Sequence, residues 1–189
     1  MIVKPQVAPG TAFAYTRRMS LHTLTPGKKV PAIVNVVVEI PRGSNNKYEV
    51  DHESGLIKLD RVLFSPMFYP ADYGYIPGTL GDDGDPLDAL VLVTNATYPG
   101  TLIEARVLGY LGMIDGGEGD EKLLCVPVCD PRFAHMQSLK DVPKHTLDEI
   151  AHFFRTYKDL EKKKVEILDW KDAKDAYAVI EKSIKNYKP

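Results

Sequence analysis

An acidic turn ahead of an apolar run is the part of this sequence best suited to chemistry. The stretch GDDGDPLDALVLV, residues 81–93, places a group of aspartates immediately before a buried-looking strand. These are Asp82, Asp83, Asp85 and Asp88. Gly84 and Pro86 favour a tight turn, which can direct neighbouring carboxylates toward one point. Carboxylates within ~4–6 Å of one another repel by several kcal/mol per pair at an effective dielectric of ~20. Either protons or a cation must relieve that repulsion, and at neutral pH we favour a divalent cation.

The residues around this turn narrow the choice of cation. Oxygen ligands without a neighbouring His or Cys favour Mg²⁺, Ca²⁺ or Mn²⁺. The calcium loop of an EF-hand ends with a glutamate at its last position, but counted from Asp83 that position is Thr94. Magnesium keeps several waters and is usually completed by substrate phosphates. The sequence therefore predicts a magnesium site that works together with a phosphate-containing substrate.

Phosphate requires cationic partners, and the candidates lie outside the acidic window. Between Arg61 and Arg106 the chain contains no Lys, Arg or His, and its acids give this window a charge of −6. A solvated acidic face is the alternative interpretation of the window. The basic candidates outside it are Lys47, Arg61, Lys122 and Lys158. Three tyrosines in FYPADYGYIPG could either pack or serve the site: Tyr69, Tyr73 and Tyr75.

Composition and charge argue against several classes of function. The net charge is −2, so no overall field favours nucleic acid or an anionic membrane. No apolar run reaches the ~20 residues of a membrane span, and the N-terminus lacks the apolar core of a signal peptide. We therefore expect a cytoplasmic protein with no membrane or nucleic-acid partner. Cys125 and Cys129 are predicted to be unpaired, small buried residues.

The order of elements predicts an α+β fold in a single domain, residues 1–189. An N-terminal arm over residues 1–30 is interrupted by Pro and Gly. A barrel core over residues 31–130 contains many short strands typical of a small barrel or a sandwich. A helical part over residues 131–189 contains two amphipathic stretches, TLDEIAHFFRTYKDLEKK and DAKDAYAVIEKSIKNY.

Taken together, the motifs resemble the soluble family I inorganic pyrophosphatases. DGDPLD is accompanied by KYE and FYPADYGYIPGT upstream, and by DGGEGDEK and HFFRTYKDLE downstream, in the order of that family over roughly residues 33–170. The resemblance implies a small closed β-barrel, five-stranded and OB-like, with two C-terminal helices packed on it. It also implies hydrolysis of pyrophosphate to two orthophosphates with several Mg²⁺ ions, for which Mn²⁺ could substitute. A homo-oligomer is expected, with a hexamer favoured at this length over a dimer.

The resemblance assigns roles to individual residues. Asp85 corresponds to the family's general base, and Tyr73 is grouped with it as a catalytic residue. The implied metal ligands are Asp83, Asp88, Asp120, Asp115 and Glu39, with Asp88 bridging two ions. The implied phosphate-binding residues are Lys47, Arg61, Tyr73, Lys122, Tyr157 and Lys158. Glu49 and Tyr69 match supporting positions. Gly116 stands where some bacterial members carry an acid, and Glu118 is the nearby acid that could replace it.

Three other functions remain open at this point. One is a magnesium-dependent hydrolase of other phosphate esters, such as a nucleotide pyrophosphatase. Another is a barrel that binds oligonucleotides or sugars without catalysis, although the acidic window disfavours a phosphate backbone. The third is a cation-binding module without turnover.

Overall fold

The computed structural model describes residues 24–51 and 53–188. The predicted arm therefore lies outside the described residues as far as residue 23. The strands, in chain order, are β1 (Ile33–Ile40), β2 (Asn46–Val50), β3 (Ile57–Val62), β4 (Asp72–Tyr75), β5 (Asp88–Val91), β6 (Leu102–Asp115), β7 (Glu118–Gly119), β8 (Lys122–Pro127) and β9 (Val165–Asp172). The helices are α1 (Lys144–Thr156) and α2 (Ala173–Asn186).

Five strands close into a barrel. They are hydrogen-bonded in the order β1-β4-β5-β8-β6, and β6 returns to pair with β1. All of these pairings are antiparallel except β5–β8, which is parallel. The prediction of a small five-stranded barrel in an α+β fold is confirmed, and the sandwich alternative is wrong. The hairpin of β2 and β3 forms a separate two-stranded sheet.

The barrel strands are buried on both faces, which explains their continuous apolar runs. In β5, Leu90 belongs to the core cluster that contains Phe153 and Phe154 of α1. Its neighbours Ala89 and Val91 belong to the other cluster, which α2 completes. Apolar side chains on both faces of β5 therefore fix the start of this strand, and with it the end of the acidic turn.

One glycine permits a close approach of two barrel strands. Gly74 of β4 pairs with Val38 of β1. A Cβ atom at Gly74 would lie 1.9 Å from the carbonyl oxygen of Val37. Only a residue without a side chain fits between these strands, and the tyrosines on either side of it, Tyr73 and Tyr75, face the site described below.

The C-terminal part contains a strand that the sequence pattern did not predict. The two helices are present as expected, and the carboxylate of Asp172 caps α2 by accepting from the backbone N–H groups of Lys174 and Asp175. Between the helices, β9 pairs with the second half of β6. Its alternation is poorly marked, because Leu168 is exposed and most positions of the strand face solvent.

The two cysteines differ in their burial. Cys125 is buried, and burial raises the pKa of its thiol to about 12. Cys129 is exposed, so its predicted burial is wrong; neither cysteine forms a disulfide. Within the described part of the chain, no helix is both long and apolar enough to cross a bilayer.

Candidate active site

The acidic turn adopts the tight geometry that its glycine and proline predict. The amide of Gly81 donates to the carbonyl of Asp85 at 2.7 Å. Gly84 has φ +88°, a conformation that most side chains disfavour. The amide of Asp85 donates to Oδ1 of Asp83 at 3.1 Å. The turn therefore fixes these two aspartates relative to the first residue of β5, Asp88.

A buried lysine lies between two of the acids. The parallel pairing of β5 and β8 places Asp88 opposite Lys122, and the Lys122 Nζ atom contacts the carboxylates of Asp88 and Asp120. Lys122 is only 3% exposed. Burial alone would lower the pKa of this lysine, but the two carboxylates outweigh it and raise the pKa above its usual value. Lys122 therefore remains charged.

The carboxylates around Lys122 form an oxygen-rich crevice. Asp83, Asp88 and Asp120 share the lining of a small crevice between the acidic turn and the loop before β8. Desolvation raises the pKa of Asp120, and the charge of Asp88 adds to the effect. Across residues 24–51 and 53–188, no three carboxylate, His or Cys side chains are grouped tightly enough to enclose an ion. The positive charge among these acids is the ammonium of Lys122, and the donor set consists of hard oxygens, which suits a divalent cation such as Mg²⁺ or Ca²⁺.

A cleft of about 250 Å³ adjoins this cluster. Its lining contains several residues singled out from the sequence: Glu39, Lys47, Glu49, Tyr73, Asp85 and Asp88. The carboxylate of Glu39 accepts from the amide of Val50 at 2.8 Å. Burial raises the pKa of Glu39 to about 8 despite this hydrogen bond. The Lys47 ammonium contacts Glu49, so a basic side chain stands among the acids that line the cleft.

The end of β6 contributes a second acid–base pair. Asp115 is the last residue of β6, and its carboxylate contacts the Lys158 ammonium just beyond α1. Glu118 lies opposite Asp115 in the β6–β7 pairing and is exposed. Lys158 also lies 5.2 Å from the centre of the Tyr157 ring. The segment after α1 therefore meets the barrel at the acidic end of β6.

Buried aromatic rings pack together beside the site. Tyr69, Tyr73 and Tyr157 are all buried and pack with Phe153 and Phe154 of α1. Burial raises the pKa of each tyrosine above its usual value, and the nearby carboxylates raise it further. Their hydroxyl groups stay protonated, so they can donate hydrogen bonds to an anion.

Arg61 is held by two acids that the sequence did not single out. Its Nε atom donates to Oε1 of Glu161 at 3.0 Å, and its Nη1 atom donates to Oδ2 of Asp60 at 2.5 Å. Asp60 also lies 3.6 Å from the Lys47 ammonium. Burial would raise the pKa of Asp60, but Lys47 and Arg61 outweigh it and hold the pKa below its usual value. Arg61 thus has a fixed orientation at the edge of β3.

Comparisons with known proteins identify the family of this chain. The sequence profile of the inorganic pyrophosphatase family matches residues 36–188. The chain belongs to the inorganic pyrophosphatase family. Membership makes it a hydrolase and implies a divalent metal cofactor, and the resemblance seen in the sequence is confirmed.

Individual members of the family cover most of the chain. It is 61% identical over 158 residues to an inorganic pyrophosphatase of Halalkalibacterium halodurans, covering 84% of this chain and 97% of the relative. An inorganic pyrophosphatase of Synechocystis is 53% identical over 163 residues, covering 86% of this chain and 96% of the relative. The crystal structure of the inorganic pyrophosphatase from Thermus thermophilus superposes with a TM-score of 0.87 at 48% identity, covering 90% and 99% of the two chains.

The structure brings the predicted residues of this family member to one end of the barrel in two adjoining groups. One lines the cleft, and the other surrounds Lys122 and Lys158. Asp82 lies apart and pairs with Lys182 on the surface at 2.7 Å. Sequence reasoning missed Asp60 and Glu161, which touch Arg61. Asp60 could have been identified from the sequence because it directly precedes Arg61, whereas nothing in the local sequence marks Glu161.

Proposed function

We propose that the protein hydrolyses inorganic pyrophosphate to two orthophosphates in a magnesium-dependent reaction. The observation that carries the proposal is the convergence, at one end of the barrel, of an oxygen-rich crevice and a cleft with basic and tyrosine donors. A divalent cation and a polyanionic substrate need these two environments side by side. Membership of the family supports pyrophosphate as that substrate.

The acids of the site have the chemistry to hold divalent cations. Asp83, Asp88 and Asp120 would hold one ion, with Asp88 shared with a second, and Asp115 and Glu39 would hold those that accompany the substrate. When bound, such ions lower the pKa of water and neutralise charge on the phosphate oxygens. We favour Mg²⁺, with Mn²⁺ as a substitute.

Asp85 has the properties of a general base. It lines the cleft and is exposed. Within the described ranges no basic side chain forms an ion pair with its carboxylate, unlike those of Asp88, Asp115 and Asp120. A carboxylate without a competing partner can accept a proton from an attacking water.

The basic and tyrosine side chains would bind the phosphoryl groups. Arg61 offers a planar fork that matches phosphate oxygens, whereas Lys47, Lys122 and Lys158 act as compact charges. The protonated hydroxyls of Tyr73 and Tyr157 would donate to developing negative charge, with Tyr69 and Glu49 in support. These groups lower the barrier by stabilising charge on the departing phosphate.

Phosphate release from pyrophosphate tests the proposal. Purified protein should be active with Mg²⁺, inactive after EDTA, and active again when Mg²⁺ is restored. Asp85→Asn should retain the wild-type melting temperature and lose about 10²–10⁴-fold in turnover, whereas Asp82→Asn in the same turn should be normal. Undiminished release in EDTA would contradict the metal requirement, and near-normal turnover of Asp85→Asn would contradict the base. Equal rates with a nucleoside triphosphate would favour a broader phosphate-ester hydrolase.

We also propose a single-domain subunit that acts in the cytoplasm as a homo-oligomer, with no nucleic-acid or membrane partner. The length and the family resemblance favour a hexamer over a dimer. Light scattering coupled to gel filtration measures the assembly directly, and a monomer at micromolar concentration would contradict it.

A further inference from the structure

We propose that Glu161 is a positioning residue that orients Arg61 for phosphate binding. The proposal rests on the proposed function, because it assumes that Arg61 binds a phosphoryl group. Glu161 lies in the short turn Asp159–Glu161 that follows α1, 100 residues from Arg61 in the chain.

The contact between these residues is directional and protected from water. The Glu161 side chain is only 6% exposed. Its Oε1 atom accepts from Nε of Arg61 at 3.0 Å. The other carboxylate oxygen lies 3.9 Å from the Lys163 ammonium, whose side chain is 61% exposed. The directional hydrogen bond of this buried carboxylate is therefore the one that it accepts from Arg61.

This hydrogen bond fixes the plane of the guanidinium group. A guanidinium carries five N–H donors in a rigid fork, and Nε is the donor nearest the aliphatic stem. Pinning Nε to Glu161 and Nη1 to Asp60 sets the orientation of the whole plane and leaves further donors for a ligand. Bidentate phosphate binding depends on that orientation.

Glu161 differs from Asp60 in what it connects. Asp60 is the chain neighbour of Arg61 and is shared with Lys47. The amide of Glu161 donates to the carbonyl of Lys158 at 2.9 Å, so the turn ties Glu161 to the segment of Tyr157 and Lys158. Glu161 thereby fixes Arg61 of β3 relative to the phosphate-binding groups at the end of α1.

A double-mutant cycle separates positioning from a purely structural role. We expect Glu161→Ala to lower kcat/KM for pyrophosphate about 10- to 100-fold, the scale of a misplaced catalytic group. Glu161→Gln keeps an acceptor oxygen and a nearly identical shape, so its loss should be smaller. In an Arg61→Lys background, which has no Nε–H donor, either change at Glu161 should alter kcat/KM less than about twofold because coupled residues are non-additive. Asp159→Asn, exposed in the same turn, is the matched control and should be normal.

Several results would overturn the role of Glu161. Losses that multiply in the double variant would show that Glu161 acts independently of Arg61. A wild-type kcat/KM in folded Glu161→Ala would show that Arg61 does not need Glu161 for its orientation. An equal loss in Asp159→Asn would show that the effect is not specific to Glu161. Melting temperatures identify any variant that loses activity by unfolding, and the isosteric Gln variant keeps the cycle measurable in that case. A wild type inactive on pyrophosphate with Mg²⁺ would refute the proposed function itself, which is a different outcome from multiplicative losses in an active enzyme.

Discussion

Replacing Lys122 by methionine should destabilise the metal-free protein strongly. Methionine keeps most of the volume of the lysine stem but removes the charge that Asp88 and Asp120 share. Two contacts of about 2.8 Å to one nitrogen place the carboxylate oxygens at most about 5.6 Å apart. Two unit charges at that distance repel by about 3 kcal/mol at an effective dielectric of ~20.

Partial exposure of the two carboxylates reduces this value. The Asp88 side chain is 24% exposed and the Asp120 side chain is 14% exposed, so we expect a loss of about 2–3 kcal/mol, below the ~3–5 kcal/mol of a fully buried broken pair. For a chain of this size the melting temperature should fall by about 5–10 °C. Added Mg²⁺ should raise the melting temperature of Lys122→Met more than that of the wild type, because a cation among these acids replaces the missing charge.

Thermal unfolding in EDTA and in Mg²⁺ measures both effects. Lys182→Met is the matched control, because its ion pair with Asp82 lies on the surface and exposed pairs contribute little. The reasoning is refuted if Lys122→Met melts with the wild type in EDTA. An increase in Mg²⁺ no larger than that of the wild type would equally refute it.

Two further predictions concern the barrel that holds the site. Asp72→Ala should cost about 3 kcal/mol or more, because it leaves two backbone N–H groups and a hydroxyl without their buried acceptor; urea unfolding should show the loss, and an unchanged midpoint would contradict it. The folded fraction should keep its kcat, since Asp72 does not line the cleft. Gly74→Ala should sharply reduce the soluble yield, because its Cβ would overlap the carbonyl oxygen of Val37; a soluble variant that melts within about 2 °C of the wild type would show that the strands can separate at little cost.

Local patterns were sufficient to predict the barrel, but they did not predict every strand that pairs with it. The apolar run after Asp88 predicted a buried strand, and Gly84 with Pro86 predicted a tight turn; both are present. The missed strand β9 pairs with the half of β6 that extends beyond β1. No local signal shows that a 14-residue strand needs a second partner, because that requirement arises only when the barrel closes.

Local patterns were likewise insufficient to predict which residues pair within the candidate site. The types of the charged residues predicted a cation and a phosphate, but the pairs among them could not be predicted from spacing. Glu161 illustrates this: it lies beside other charged residues at the end of α1, in a stretch that is typical of a solvated turn. In the folded chain it is buried and contacts Arg61 of the β2–β3 hairpin, 100 residues away in sequence.

The long separations of these pairs also explain how the fold tolerates an acidic window. Within the window the acids have no basic neighbour in sequence, so an isolated segment would retain its repulsion. In the folded chain, Asp88 meets Lys122 from 34 residues away, and Asp115, beyond the window, meets Lys158 from 43 residues away. These two compensating charges come from β8 and from the segment just after α1, and both β8 and α1 contribute to the apolar core. A form of the chain that lacks the packed core would therefore also lack the contacts of Lys122 with Asp88 and of Lys158 with Asp115.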